Sequence, residues 1–423
     1  MIKGYEHYFT AEGRKKEKDA KLVIWAGFIM YVIIMASKNV YTAEIEAIIT
    51  AFSTNKSQAS LAMTYYFVTY AIFQLIISPL YPKLNLKYFL SITLLISAVL
   101  TFCIGLCTNL PSLYFICAIN GILQAGLYGG VMATISKFSP ARLLPYANKI
   151  MSTGTTVFWI FAYGVPAPFV GKGLWNIPFF IFGVLAVGSI VFFFCAVHNM
   201  KKHPLEDVEK KVKNSSIINE DNIFNLSTKG KKVFFFITMI VMACVTNVLY
   251  YGIAQWIPSM LNEVFGVPLS FSMLITIGTP LAMMVGNLVI ISICQKKKNY
   301  FMNGAIFLVM SIISLLPMLF AYQVNVLLTI ICLALFFATS TTSRAINTSI
   351  IAFDLRSQIN TGTYISILNA MAALMAGVFP PISGNIIEAN GYGALFMLIF
   401  LTTIVSTIMF IGCSFIYKPI KRA

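Results

Sequence analysis

Histidine is nearly missing from this chain, with 3 in 423 residues, and Asp and Glu together number only 14 against 30 Lys and Arg. Those shortages exclude most enzyme chemistry. No His-containing triad, metal cluster, Gly-rich phosphate loop or buried carboxylate pair can be assembled, so neither catalysis nor a cofactor is expected. The eight cysteines (103, 107, 117, 195, 244, 294, 332, 413) form no CxxC, and all fall within or at the ends of apolar runs. That excludes a disulfide or zinc framework. Charged residues of both signs make up 10% of the chain, too few for an ordinary solvated surface.

Long apolar runs are what the chain does have. Apolar residues make up 58%, and the mean hydropathy is +0.83. A helix crosses the hydrocarbon core with about 20 apolar residues. Runs of that length, divided by short polar or Pro/Gly breaks, predict twelve spans near residues 22–48, 59–79, 88–107, 112–136, 145–168, 177–197, 233–260, 269–294, 300–321, 326–352, 362–385 and 393–416. The first run is too long for a signal peptide. Pro166/Pro168 and Pro380–Pro381 are expected to break or bend spans.

The net charge of +16 reports orientation rather than a nucleic-acid partner. With the N-terminus inside, 26 of the 30 Lys and Arg fall in the tails and in loops on one side. Only Lys56 and Lys172 fall in loops on the other side, which predicts cytoplasmic termini in a bacterial-type plasma (inner) membrane. The stretch His198–Lys232 is charged and rich in Asn and Ser, and it parts six spans from six. The expected architecture is all-α. It comprises a tail (1–21), a six-helix bundle (22–198), a cytoplasmic linker (199–232), a second six-helix bundle (233–417) and a short tail (418–423). Six plus six is the layout of a carrier with a mid-membrane site between related halves.

This layout resembles the major facilitator superfamily, and three short pieces are similar to its organophosphate/phosphate antiporter and organic-anion transporter branch. The pieces are Ala36–Val40 (ASKNV), Tyr66–Leu90 (YFVTYAIFQLIISPLYPKLNLKYFL) and Val248–Leu261 (VLYYGIAQWIPSML). In that branch, arginines on the first and seventh spans hold phosphate. Aligned by eye, those positions are Ser37 and Tyr250 here, while the branch's second-span lysine falls on Gln74 and its fifth-span histidine near Gly154. Lys38 follows the lost arginine.

Two cations lie deep in apolar runs, one per half: Lys38 and Arg344. A cation at mid-bilayer costs roughly 3 kcal/mol on insertion scales, so each is a candidate functional residue facing a cavity or a partner. By helical rise, Lys38 lies about 5 Å to the outer side of its span's centre and Arg344 about 7 Å to the inner side. No acid sits at comparable depth, so the pair reads as a grip for an anion. The resemblance implies that spans one, four, seven and ten line the cavity. Polar and aromatic residues at helical spacing extend the candidate substrate-binding set to Tyr31, Tyr70, Gln74, Gln124, Tyr128, Tyr250, Tyr251, Gln255, Asn347 and Asn369. Asn and Gln in such stripes also serve as interhelical glue, and Lys38 could instead snorkel toward headgroups.

Glu44, Glu46 and Asp354 read as solvated edge charges, with Glu44 and Glu46 the candidates for coupling to an ion. The expected function is secondary transport of a small organic anion, of carboxylate or sugar-acid type, by exchange or symport. The expected partners are that solute and the lipid bilayer, around a monomer. A multidrug or cationic-compound exporter would need a membrane-buried acid. An organophosphate/phosphate antiporter would need the missing arginines. A membrane sensor would need a signalling domain.

Overall fold

The computed structural model describes residues 11–140, 143–201, 229–351 and 361–417, and every described span is helical. The central part of the linker, the chain ends and Asp354 lie outside the described residues. The spans are α1 (Ala11–Ala43), α2 (Lys56–Ile77), α3 (Leu86–Ile104), α4 (Leu110–Gln124, continued by Leu127–Phe138), α5 (Leu144–Gly164) and α6 (Ile177–Lys201). The second half holds α7 (Lys229–Ala254, continued by Ile257–Phe265), α8 (Leu269–Thr276 and Gly278–Lys296), α9 (Tyr300–Ala321) and α10 (Val326–Ser340, then Thr342–Ala345 and Ile346–Ile350). The run Thr361–Ile416 supplies both α11 and α12, parted at Gly391, where φ 75° and ψ 178° leave the helical region. Only glycine adopts that conformation without strain.

Short polar residues mark the helix starts. Asn55, Asn109, Asn299 and Asn325 each accept a hydrogen bond from a backbone N–H in the first turn of α2, α4, α9 and α10. Such a cap contributes about 1 kcal/mol by satisfying a donor that lipid cannot. Two sequence expectations need correction. The chain does not break at Pro380–Pro381: the helix runs through both residues and breaks ten residues later, at Gly391. Neighbouring helices offset the missing N–H groups of such prolines in membrane bundles.

Nor is α10 one regular helix. Its hydroxyl run turns back on its own carbonyls, with Thr341 donating to the Phe337 carbonyl (2.8 Å), Thr342 to Thr339 (2.6 Å) and Ser343 to Ser340 (2.7 Å). These bonds compete with the helical ladder, which then opens into a π-turn over Ile346–Ile350. Arg344 sits just before that turn.

Within the first half, α1 packs on α5 and α6, and α2 on α4; within the second, α8 and α9 pack on α10, and α7 on the α11–α12 run. The halves meet chiefly where α2 lies against α11, and also where α5 meets α8. Glycines allow the α2–α11 approach: a Cβ at Gly377 would press on Phe67 and Thr64, and one at Gly384 would press on the Lys56 and Ser57 backbone. Thr64 donates to the Gly377 carbonyl at 2.6 Å across this seam.

Candidate functional site

Lys38 is half-buried on α1, and its ammonium points into the bundle. The Nζ atom lies 4.5 Å from the Phe67 ring centre and 5.3 Å from that of Tyr66, both on α2. That placement is a cation–π contact and not a reach toward headgroups. A small cavity of about 10 Å³, room for about one water, touches Lys38, Ser37, Tyr66, Asn120 and Gln124.

Arg344 approaches from the second half and is also half-buried. Its charge acts on Lys38 and Tyr31 of α1, on Tyr70 of α2, and on Tyr250 and Tyr251 of α7. The two cations therefore share one electrostatic neighbourhood. Neither makes an ion pair among the described residues.

The wall around them is aromatic. Tyr31 meets Tyr128 edge-on at 5.4 Å, Tyr70 stacks on Tyr66 at 5.9 Å, and Tyr251 meets Phe67 at 5.6 Å across the two halves. Tyr250 packs among Trp159, Tyr251 and Phe337. Trp159 and Phe67 carry no polar signature that sequence reasoning could have used. The only sequence clue to Phe67 is its place one residue from Tyr66 on a span already rich in aromatics.

The amides divide. Gln124 accepts from the Tyr66 hydroxyl (2.7 Å) and donates to Ser97 (2.8 Å), whose hydroxyl donates to Asn120 (2.8 Å). This network holds α2, α3 and α4 together inside the first half, and it also borders the small cavity beside Lys38. Gln255 donates to Ser60 at 2.9 Å and joins the halves. Asn347 donates to the Met239 carbonyl and accepts from Tyr364, both at 2.9 Å, which ties the π-turn to α7 and α11. Asn369 is half-buried and makes no side-chain hydrogen bond among the described residues. Gln74 is half-buried too, with an Oε1 that no described donor meets. These last two have amide capacity to spare for a solute.

A model of the Major Facilitator Superfamily matches residues 27–360. The chain belongs to that superfamily. The bacterial homolog of the human lysosomal transporter Spinster superposes with a TM-score of 0.67 at 15% identity, over 94% of this chain and 95% of that one. The nucleoside transporter NupG gives a TM-score of 0.67 at 14% identity, over 95% of this chain and all (100%) of that one. At such identities the likeness concerns the fold. A proline/betaine transporter of Escherichia coli (strain K12) is 26% identical over 208 residues, 43% of this chain and 39% of that protein. This chain thus spans well under half of that relative.

In this superfamily member the halves are clasped at one end, around Lys56. The Lys56 ammonium bonds Glu46 of its own half (2.9 Å) and Glu263 of the other half (2.5 Å), and it lies over the Trp256 ring at 5.5 Å. The Lys56 backbone N–H donates to Glu388 Oε1, the Tyr392 hydroxyl donates to Glu263 at 3.0 Å, and Trp256 Nε1–H donates to Ser383 at 2.8 Å. Below this clasp, Tyr163 bonds the Ala254 carbonyl (3.3 Å) and Thr156 the Pro280 carbonyl (3.4 Å).

Two sequence readings change here. Glu46 is not a free edge charge but half of an ion pair. Glu44 is not solvated: its side chain is wholly buried, and neither carboxyl oxygen has a hydrogen-bond partner among the described residues. The clasp residues Lys56, Glu263 and Glu388 were within reach of the sequence. They are rare charges at span edges on the side that holds few of them.

Proposed function

We propose that the chain is a secondary transporter that moves a small organic anion, of the carboxylate or sugar-acid type, by alternating access. One observation carries this reading: Lys38 and Arg344 come from opposite halves, share an electrostatic neighbourhood and have no carboxylate partner among the described residues. Two like charges about 10 Å apart at an effective dielectric near 20 repel by about 1.7 kcal/mol. A bound anion removes that repulsion and bridges the halves. The arginine fork suits a carboxylate's two oxygens, and the lysine adds a point charge. An empty carrier resists closing around the pair, which favours exchange over empty return. The charge asymmetry of the loops supports cytoplasmic termini and so an outward-facing Lys56 end. On that orientation the clasp is the outer gate, closed here.

The aromatic wall favours a second reading, in which the cargo is a zwitterion. A carboxylate would take the two cations while a methylated ammonium lies over the tyrosine faces. The name of the partial relative, a proline/betaine transporter, points the same way.

The test is a thermal-shift and equilibrium-binding panel of succinate, gluconate, glycerol 3-phosphate, glycine betaine and tetraphenylphosphonium. It runs on wild type, Lys38→Gln and Arg344→Gln. Charge-assisted hydrogen bonds contribute about 1.5–3 kcal/mol each, so either substitution should weaken carboxylate binding roughly ten- to hundredfold. Betaine binding that needs both cations selects the zwitterion reading. Binding of the phosphonium alone, unchanged by both substitutions, overturns the anion assignment.

A further inference from the structure

Glu44 occupies a hinge. Helix α1 ends at Ala43, Glu44 leaves helical geometry (φ −88°, ψ 8°), and a short helix, Ile45–Ala51, follows. That short helix carries Glu46, which holds Lys56 in the clasp. One turn before the hinge, the Tyr41 hydroxyl donates to the Ala59 carbonyl at 2.7 Å and pins α1 to α2. The buried Glu44 carboxyl therefore lies within one turn of both the residue that pins α1 to α2 and the residue that holds Lys56. It is enclosed with Tyr41, Ala43, Ile45 and Ile48, all buried neighbours along its own chain segment. A carboxylate without a hydrogen-bond donor or a cation is strongly disfavoured in such a place, whereas a neutral carboxyl is tolerated.

We propose that Glu44 is a proton-binding site of this carrier, taking up a proton from water as the Lys56 end closes and releasing it as that end opens. The inference rests on the alternating-access reading above. It adds that one proton accompanies each closing of the gate, which supplies a coupling ion for anion movement. When the gate opens, Lys56 with its partner Glu46 parts from Glu263 and Glu388 of the other half, the short helix loses its anchor across the seam, and water reaches the hinge carboxyl. There it regains an ordinary carboxylate pKa of about 4.3 and ionises.

The sign follows from proton linkage. The closed state binds the extra proton, so above the solvated pKa each unit of falling pH favours closure, by up to tenfold. Among the described residues, the other charged and titratable groups near this end include Glu46, Lys56, Glu263, Glu388, Tyr392 and Tyr322, with Tyr41, Tyr114, Cys107 and Cys117 on the first-half side. Protonating the clasp carboxylates weakens their hold on Lys56, so acid opens the gate through them. Lys56 and these tyrosines titrate above the window used, and the cysteines are replaced in the experiment below. The two mechanisms predict opposite responses to acid, which separates them.

The experiment places spin labels at Ala51→Cys and Asn390→Cys, both exposed and on opposite sides of the seam, after replacing the eight native cysteines. The distance distribution is read from pH 5 to pH 8 with no solute present. Wild type should close as pH falls. Glu44→Gln, a neutral near-isostere of the protonated acid, should stay closed at every pH, and Glu44→Asp should keep a pH response. Lys56→Gln should open throughout, which establishes that the labels read the gate. An unchanged response in Glu44→Gln, or a wild type that opens in acid, overturns the proposal. Because no anion is present, failure of the carboxylate panel and failure of this site are separate results.

Discussion

Replacing Glu263 with Gln removes the ion-pair partner that the second half gives the Lys56 ammonium among the described residues, yet it leaves the Lys56–Glu46 pair intact. The shape of the side chain is kept, and the Tyr392 hydroxyl still has an oxygen to donate to. The gross attraction between unit charges about 2.5 Å apart at an effective dielectric near 20 is about 6.6 kcal/mol. Most of that is offset. The Glu263 side chain is 41% exposed and the Lys56 side chain 12%, so water screens one partner well and the other poorly. Fully exposed pairs yield 0.2–1 kcal/mol, and removing one partner of a fully buried pair costs about 3–5 kcal/mol, so this intermediate case should contribute about 1–2 kcal/mol to closure. Glu263→Gln should thus lower the ratio of closed to open carriers by roughly five- to thirtyfold. The readout is the Ala51→Cys/Asn390→Cys distance distribution, with the initial rate of gluconate exchange in proteoliposomes beside it. The substitution should lengthen the distance and change exchange, while leaving the melting temperature within a few degrees. Raising salt should mimic it weakly in wild type and hardly at all in the variant. An unchanged closed fraction would refute the claim that this ion pair sets the resting state.

Other outcomes follow from the same geometry. Gln124→Leu strands the Tyr66 hydroxyl and takes one donor from Ser97, which keeps its bond to Asn120, so it should lower stability by about 1–3 kcal/mol, read as a drop in melting temperature, with little change in anion affinity. Weakened affinity without destabilisation would return Gln124 to the binding wall. Gly286→Ala should be poorly tolerated, because a Cβ there would run into the Ala338 carbonyl where α8 crosses α10. Overpacking of this kind costs about 1–3 kcal/mol, so melting should fall while the same change at Gly412, which faces open space, should be silent. Arg344→Lys keeps the charge but loses the fork, and should weaken binding of succinate and gluconate alike, by less than Arg344→Gln does, in parallel titrations.

Most of the spans were legible because bilayer thickness sets a length that apolar runs reach or miss; α5 is long enough but falls short of the others in apolarity. Lys38 and Arg344 were legible for a related reason: a lone cation in such a run has few reasons to be there. The interruption of α10 was harder to read. The Ser340–Ser343 run looks like a polar stripe in sequence, and only hydrogen-bond geometry shows its hydroxyls turned onto their own helix. Asn120 and Gln124 share a helical face as expected, but spacing cannot say whether that face meets a solute or a neighbour. Here it meets Ser97 and Tyr66. Glu44 and Glu46 look alike in sequence, two acids near a span's end. Their fates diverge because one lies at the break in the helix and is packed inward, while the other projects to Lys56.

The glycine seam between α2 and α11 bears on how fast this molecule can work. Where Gly377 and Gly384 let one helix rest on the other, no side chain stands between the two backbones at those points. Such contacts slide or lift apart without unthreading knobs from holes, so little friction resists the stroke there. The polar contacts at the rim then add to the ring and hydrogen-bond contacts along the seam in holding the resting pose, and small chemical changes there can retune the whole machine.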